Sequence, residues 1–178
     1  MIYPLFDLPP LVTIHTFSLE CLGPCLQANN RVATSWVSAA YPAANRALYI
    51  PFHLMQPITV RKLFVYNGAT AAGNIDIGIL DSAGTLQCSA GSTAQAGTSV
   101  LQEFDITDKL IGPGDFYFGV SKDDAVGTLF DNAPGFQVLR TVGMAQEASA
   151  FPLPATATFA QIATAFVPIV GLSTRATI

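Results

Sequence analysis

Residues 57–66, Pro57-Ile-Thr-Val-Arg-Lys-Leu-Phe-Val-Tyr66, and residues 75–80, Ile75-Asp-Ile-Gly-Ile-Leu80, decide the fold. Successive side chains of an extended chain point to opposite sides, so Ile75, Ile77 and Ile79 fall on one face of a strand. In the first run Ile58 and Val60 share a face, and Leu63 and Val65 resume it after one change of phase. Neither run has the three- and four-residue spacing of a helical stripe. Asn67-Gly68 closes the first run and Gly73-Asn74 opens the second. Asp81-Ser-Ala-Gly84 has the residues of a type I turn, because Asp bonds its own backbone and Gly accepts a positive φ. It leads into Thr85-Leu-Gln-Cys88 and makes a hairpin.

Outward from this centre the pattern repeats. Arg46–Phe52 is a short strand-like run, and residues 99–106 bring alternation back after the polar loop 91–97. Residues 115–121 point Phe116, Phe118 and Val120 to one side. Thr128–Phe130 and Phe136–Arg140 read as two further strands, and residues 155–165 carry a weak helical tendency interrupted by threonines and flanked by prolines. Short strands separated by turns, with no helical stripe between them, predict an all-β fold: an antiparallel, jelly-roll-like β-sandwich.

The chain has 178 residues, 51% hydrophobic and only 11% charged, where a soluble domain carries about 25% charged residues. Its charge is also uneven. Residues 1–46 hold only Asp7, Glu20, Arg31 and Arg46, and residues 146–178 only Glu147 and Arg175. This divides the chain into an extended N-terminal arm (1–45), a sandwich domain (46–145) and a C-terminal arm (146–178). Apolar arms are costly to leave in water, at about 25 cal/mol for each Å². Tyr3, Leu5, Phe6, Leu8 and Leu11 in the first arm, and Phe151, Leu153, Phe159, Phe166 and Ile169 in the second, are therefore expected at interfaces with other subunits. Packing of both ends on their own sandwich is the competing expectation.

The residues that carry chemistry are sparse. A net charge of −4 with no basic run lacks the footprint of nucleic-acid binding, and no apolar stretch is long enough for a membrane-spanning helix. The first ten residues lack the features of a secretory leader. Cys21, Cys25 and Cys88 are odd in number, and the Cys21/Cys25 spacing suits neither a redox pair nor a zinc knuckle, so buried thiols are expected. His15 and His53 sit beside apolar runs without a nucleophile elbow, which predicts packing or interface histidines and no catalytic residue. Asp123 and Asp124 are adjacent in a turn and are expected to face solvent. With Asp131 and Asn132 they offer too few oxygens for a Ca²⁺ loop, so no metal or other cofactor is expected. Trp36, Tyr41, Tyr49, Tyr66 and Tyr117 are dispersed along the chain, which predicts core or interface packing rather than a sugar-stacking platform.

Residues 46–68, Arg46-Ala-Leu-Tyr-Ile-Pro-Phe-His-Leu-Met-Gln-Pro followed by the 58–68 run, together with Gly73–Gly84, Gly91–Thr98, Phe104–Asp108 and Gly112–Gly119, resemble structural proteins of tailed bacteriophages and their prophages. The resemblance covers about residues 46–130. It implies a non-enzymatic β-sandwich module of the virion, found as head decoration or cement protein or as a tail or neck attachment. Among these, apolar arms favour a capsid cement protein that clips neighbouring subunits of a shell. Its partners would be other copies of itself, with a homotrimer implied by the resemblance alone, and the major capsid protein. The alternative is a tail or fibre module that binds a host saccharide on exposed loops.

Overall fold

The computed structural model describes residues 13–15, 36–131 and 136–175. The alternating residues of 57–66 and 75–80 form part of the two inner faces of an antiparallel sandwich. The larger sheet runs in the order β12 (Ala160–Gln161), β11 (Ala145–Glu147), β3 (Arg46–Leu54), β9 (Gly114–Lys122), β5 (Asn74–Asp81) and β6 (Leu86–Ser89), with β7 (Thr93–Ala94) paired to β5. The smaller runs β1 (Thr13–His15), β13 (Val170–Ser173), β4 (Ile58–Tyr66) and β8 (Leu101–Ile111). β2 (Val37–Ala40) and β10 (Thr128–Asp131) pair separately.

Ile50, Ile77 and Phe118 from the large sheet meet Leu63, Val65 and Leu172 from the small one, all fully buried. The change of phase in 57–66 has a structural cause. β4 pairs Val60 with Lys109 but Lys62 with Asp105, so an irregularity at Arg61 restores Leu63 and Val65 to the core face.

Two expectations are corrected. Phe136–Thr141 is a short helix, α1, not a strand. Its buried residue is Leu139, with Val142 packed three residues on, a helical spacing that the alternation of Phe136, Val138 and Arg140 hid. The helix stops where Gly143 takes φ 86°, which lets the Met144 amide reach back to the Leu139 carbonyl at 2.9 Å. Residues 155–165 contain no helix; they give β12 and an isolated bridge between Thr156 and Thr85. Residues on either side of 46–145 also join the sandwich. Tyr41 is buried and donates to the Val120 carbonyl at 2.7 Å, and β11 to β13 complete both sheets.

The segment after β11 lies across the outer face of the large sheet as a strap. Gly78 and Gly119 are paired neighbours on β5 and β9, and the Leu153 side chain stands over them: a Cβ on Gly78 would collide with it, and a Cβ on Gly119 would collide with Leu80 and crowd Leu153. The strap is pinned by polar groups as well. The Ala150 carbonyl accepts from Ser121 Oγ at 2.6 Å, the Leu153 amide donates to Asp76 Oδ2 at 3.0 Å, and the Thr158 amide donates to Glu147 Oε2 at 3.0 Å. Burial raises the Asp76 carboxyl above its ordinary range, against the pull of the Leu153 amide. Tyr49 Oη also donates to Glu147 Oε2, at 2.6 Å, so one carboxylate holds both the sheet and the strap. Glu147→Ala is expected to cost about 1–2 kcal/mol and to speed amide exchange at Thr158. Hydrogen–deuterium exchange checks this, and unchanged protection would mean that the strap is held by its backbone pairs alone.

Candidate functional site

The five aromatic residues that look dispersed in sequence fall in three separate places in the fold. Tyr49 and Tyr117 lie under the strap, where Phe159 packs on them with ring centroids 5.1 Å and 4.7 Å away. Tyr41 is in the core, edge-on to Phe166 at 5.7 Å. Trp36 and Tyr66 meet at 6.1 Å, and Tyr66 meets Phe130 at 4.9 Å.

This last group marks an exposed apolar surface. Tyr66 ends β4, and its neighbour on β8 is Leu101. The Asn67 amide donates to the Val100 carbonyl at 2.9 Å, which draws Val100 alongside. Val37 on β2 is paired to Asp131, so by strand alternation its side chain lies on the other side of the ribbon from Phe130, which is paired to Ser38. Trp36, Val37, Val100 and Leu101 keep 49%, 58%, 45% and 38% of their surface in water, half of the large apolar side chains that are exposed among the described residues. Of these, Trp36 packs on Tyr66, and Leu101 is the paired neighbour of Tyr66 on β8. On the outer side of the same sheet Lys62 Nζ bridges Asp105 at 2.8 Å and Glu103 at 3.1 Å, and these two hydrogen bonds raise its pKa.

The rings do not share a plane. Trp36 and Tyr66 are inclined at 60°, and Tyr66 and Phe130 at 65°. The tilt leaves an uneven apolar relief rather than one flat stacking platform.

Beneath this surface a polar network fixes the loops. Lys122 Nζ has no exposed surface; it donates to the Ala72 carbonyl at 2.8 Å and to Gln95 Oε1 at 2.7 Å, and stands 3.9 Å from Asp124 Oδ1. Gln95 Nε2 in turn donates to Asn67 Oδ1 at 3.0 Å and the Thr128 carbonyl at 2.8 Å. Burial lowers the Lys122 pKa, opposed by Asp124 and Asp123. The two acids expected to face solvent are thus structural. Asp123 accepts from the Asn74 amide at 2.7 Å, and Asp124 Oδ1 accepts from the amides of Val126 and Gly127 at 2.9 Å each.

The expected interface residues separate into three groups. Tyr3, Leu5, Phe6, Leu8 and Leu11 lie outside the described residues. Leu153, Phe166 and Ile169 are buried in this chain's own sandwich. Phe151 is half-buried, and Phe159 shows 37% of its surface above Tyr49 and Tyr117. His53 is half-exposed and hydrogen-bonded to Asp115 at 2.7 Å, a surface pair rather than a packed histidine. Cys88 is a free thiol whose pKa burial raises to about 11; Cys21 and Cys25 lie outside the described residues. Among the described residues no three His, Cys, Asp or Glu side chains group as they would around a metal ion, and no helix is long and apolar enough to cross a membrane.

No protein-family model matches the chain, and no curated protein matches it. Among solved structures, the chitosan-binding module 1 derived from a chitosanase/glucanase of Paenibacillus sp. IK-5 matches 66% of this chain and 88% of its own length, at 13% identity and a TM-score of 0.32.

Proposed function

We propose that the chain is a non-enzymatic structural module that assembles with further copies of itself, docking through the apolar surface around Trp36, Tyr66 and Phe130. The observation that carries this reading is the Trp36–Tyr66–Phe130 ring cluster at the end of the small sheet, with Trp36 and the Tyr66 neighbour Leu101 each more than a third exposed. The depletion of charge in residues 1–46 supports burial of that segment. The resemblance of residues 46–130 to phage structural proteins supports placing the assembly on a virion, as a decoration protein reinforcing the head shell. The tilt between the rings favours this over a saccharide-binding tail module.

The expected result is a concentration-dependent oligomer in sedimentation velocity. Leu101→Lys introduces a charge at an exposed site and should weaken that oligomer about ten-fold, equivalent to about 1.4 kcal/mol, with the melting temperature unchanged. A chain that stays monomeric at every concentration and binds oligosaccharide through Trp36 would overturn the proposal in favour of the saccharide reading.

A further inference from the structure

We propose that the edge of β13 is the acceptor for a strand from a neighbouring copy, and that the strand it accepts is that copy's Thr13–His15. This rests on the assembly reading above and adds the element that is exchanged. The small sheet has two ends, and they are built differently. At one end β8 carries Glu103, Asp105 and Asp108, and its pairing with β4 is broken by the irregularity at Arg61. Acids and a bulge are the means by which a sheet edge is kept from recruiting another strand. At the other end β13, Val170-Gly-Leu-Ser173, has no charge, is fully buried and runs in unbroken register along β4 from Val65 to Lys62. Without a further strand, its outward N–H and C=O groups would be left unpaired against a dry sheet.

The strand that pairs with it is three residues long. Thr13, Ile14 and His15 oppose Ser173, Leu172 and Gly171, antiparallel, and among the described residues β13 is the strand to which β1 is paired. Residues 16–35 stand between β1 and the sandwich. Twenty residues reach at most about 70 Å, whereas crossing from β4 over β13 to the outer position takes about 10 Å at the spacing of neighbouring strands. The connection therefore far exceeds what pairing within one chain requires and is long enough to reach an adjacent body. The hydrogen bonds are the same whichever copy provides the strand, so local concentration decides. Docking at the Trp36 surface, which lies where residues 16–35 rejoin the sandwich, supplies that concentration. Extension of an exposed sheet edge by a foreign strand is a general mode of recognition in which main-chain pairing provides the affinity.

Cysteines at opposed positions of an antiparallel pair are within disulfide range, so Thr13→Cys and Ser173→Cys report the pairing directly. The full chain is used with Cys21 and Cys25 changed to Ser, and with Cys88 retained because its half-buried thiol, raised to about 11, reacts slowly. Chains carrying only Thr13→Cys are assembled with chains carrying only Ser173→Cys and oxidised. The expected product is a covalent heterodimer joined at 13 and 173, identified by peptide mass, and the double variant is expected to form a ladder of linked chains. A double variant that closes only on itself, with no heterodimer from the mixture, would overturn the exchange; so would a failure to link in either arrangement. Light scattering on the same samples separates the two readings. An oligomer linked only within chains refutes exchange and keeps assembly, whereas an unlinked monomer refutes both.

Discussion

Lys122→Met is expected to lower the melting temperature by about 10 °C without changing the fold class seen by circular dichroism. The side chain is fully buried, and its ammonium group is the donor for the Ala72 carbonyl and for Gln95 Oε1. Methionine fills the same space but gives neither hydrogen bond. The Asp124 carboxylate also loses its nearby cation. Removing one partner from a buried charged network costs about 3–5 kcal/mol, and for a chain of this length each kcal/mol moves the transition by about 2–4 °C. The site offers a second, independent check. A Cβ at Gly127 would run into Gln95 Oε1, the Ala72 carbonyl and the Lys122 ammonium, so Gly127→Ala should destabilise through the same network. Because these residues are neighbours, the double variant should cost less than the sum of the single ones. Fully additive losses would mean that Lys122 acts outside the network.

The consequence for function follows from position. Gln95 ties Asn67 to Thr128, and these two residues bracket the ends of β4 and β10 that present Tyr66 and Phe130. A buried lysine is thus the support on which the exposed rings are set. Loss of this support should widen the docking surface before it unfolds the sandwich, and self-association should fall together with stability in the Lys122 variant. In Leu101→Lys, by contrast, association falls alone.

The sandwich itself could be read from short-range pattern. Ile75, Ile77 and Ile79, or Phe116, Phe118 and Val120, need only the two-residue period of a strand to declare their inner face, and all six are buried in the common core. Even the slip of phase within 57–66 was visible, although its meaning, an irregularity opposite β8, required the partner strand. What the sequence hid depends on contacts between distant residues. Leu153 reads as a greasy terminal residue until Gly78 and Gly119 are seen to be neighbours that leave a hollow for it. The spacing of these glycines, one in each of two inner-face strands on the side opposite the apolar residues, was the signal that something would fill the outer face. Trp36, Tyr66 and Phe130 are 30 and 64 residues apart in sequence, from 36 to 66 and from 66 to 130, and no local period connects them. Asp123 and Asp124 look solvated because a turn of charged residues commonly is; only the position of Lys122 beneath them, itself on an otherwise regular strand, gives them a structural task. Composition was ambiguous at the C-terminus for a related reason. Low charge announces burial but not whose surface does the burying, and here Phe166 and Ile169 are covered by this chain.

Asp131→Asn is expected to leave the protein unchanged in stability near pH 3.5 and to make it up to about 3 kcal/mol more stable than the wild type near pH 8. Asp131 ends β10, is 7% exposed, and accepts from the Val167 amide at 2.7 Å. Burial raises its pKa to about 6, the single amide bond pulling it down only in part. An unfolded chain has an aspartate near 3.9. The folded state therefore binds the proton more tightly, so the favourable contribution is complete below the unfolded value and is lost as pH rises through about 6. Two pH units of difference correspond to about 3 kcal/mol, the most that the buried charge can cost. Asparagine keeps an oxygen for the Val167 amide and has no charge to bury, so the variant should lack the wild type's decline between pH 4 and 7. Denaturant unfolding of both proteins across that range provides the measurement, and their difference removes the effect of Asp76, whose buried carboxyl is shifted in the same direction. A gap of constant size at every pH would show that the substitution acts through packing and not through charge. The position gives this decline a structural address, because Asp131 is paired to Val37 and bridged to Pro168. Above pH 6 the cost is carried at the joint between the exposed aromatic surface and the segment that leads into β13, the two places where neighbouring copies are proposed to meet.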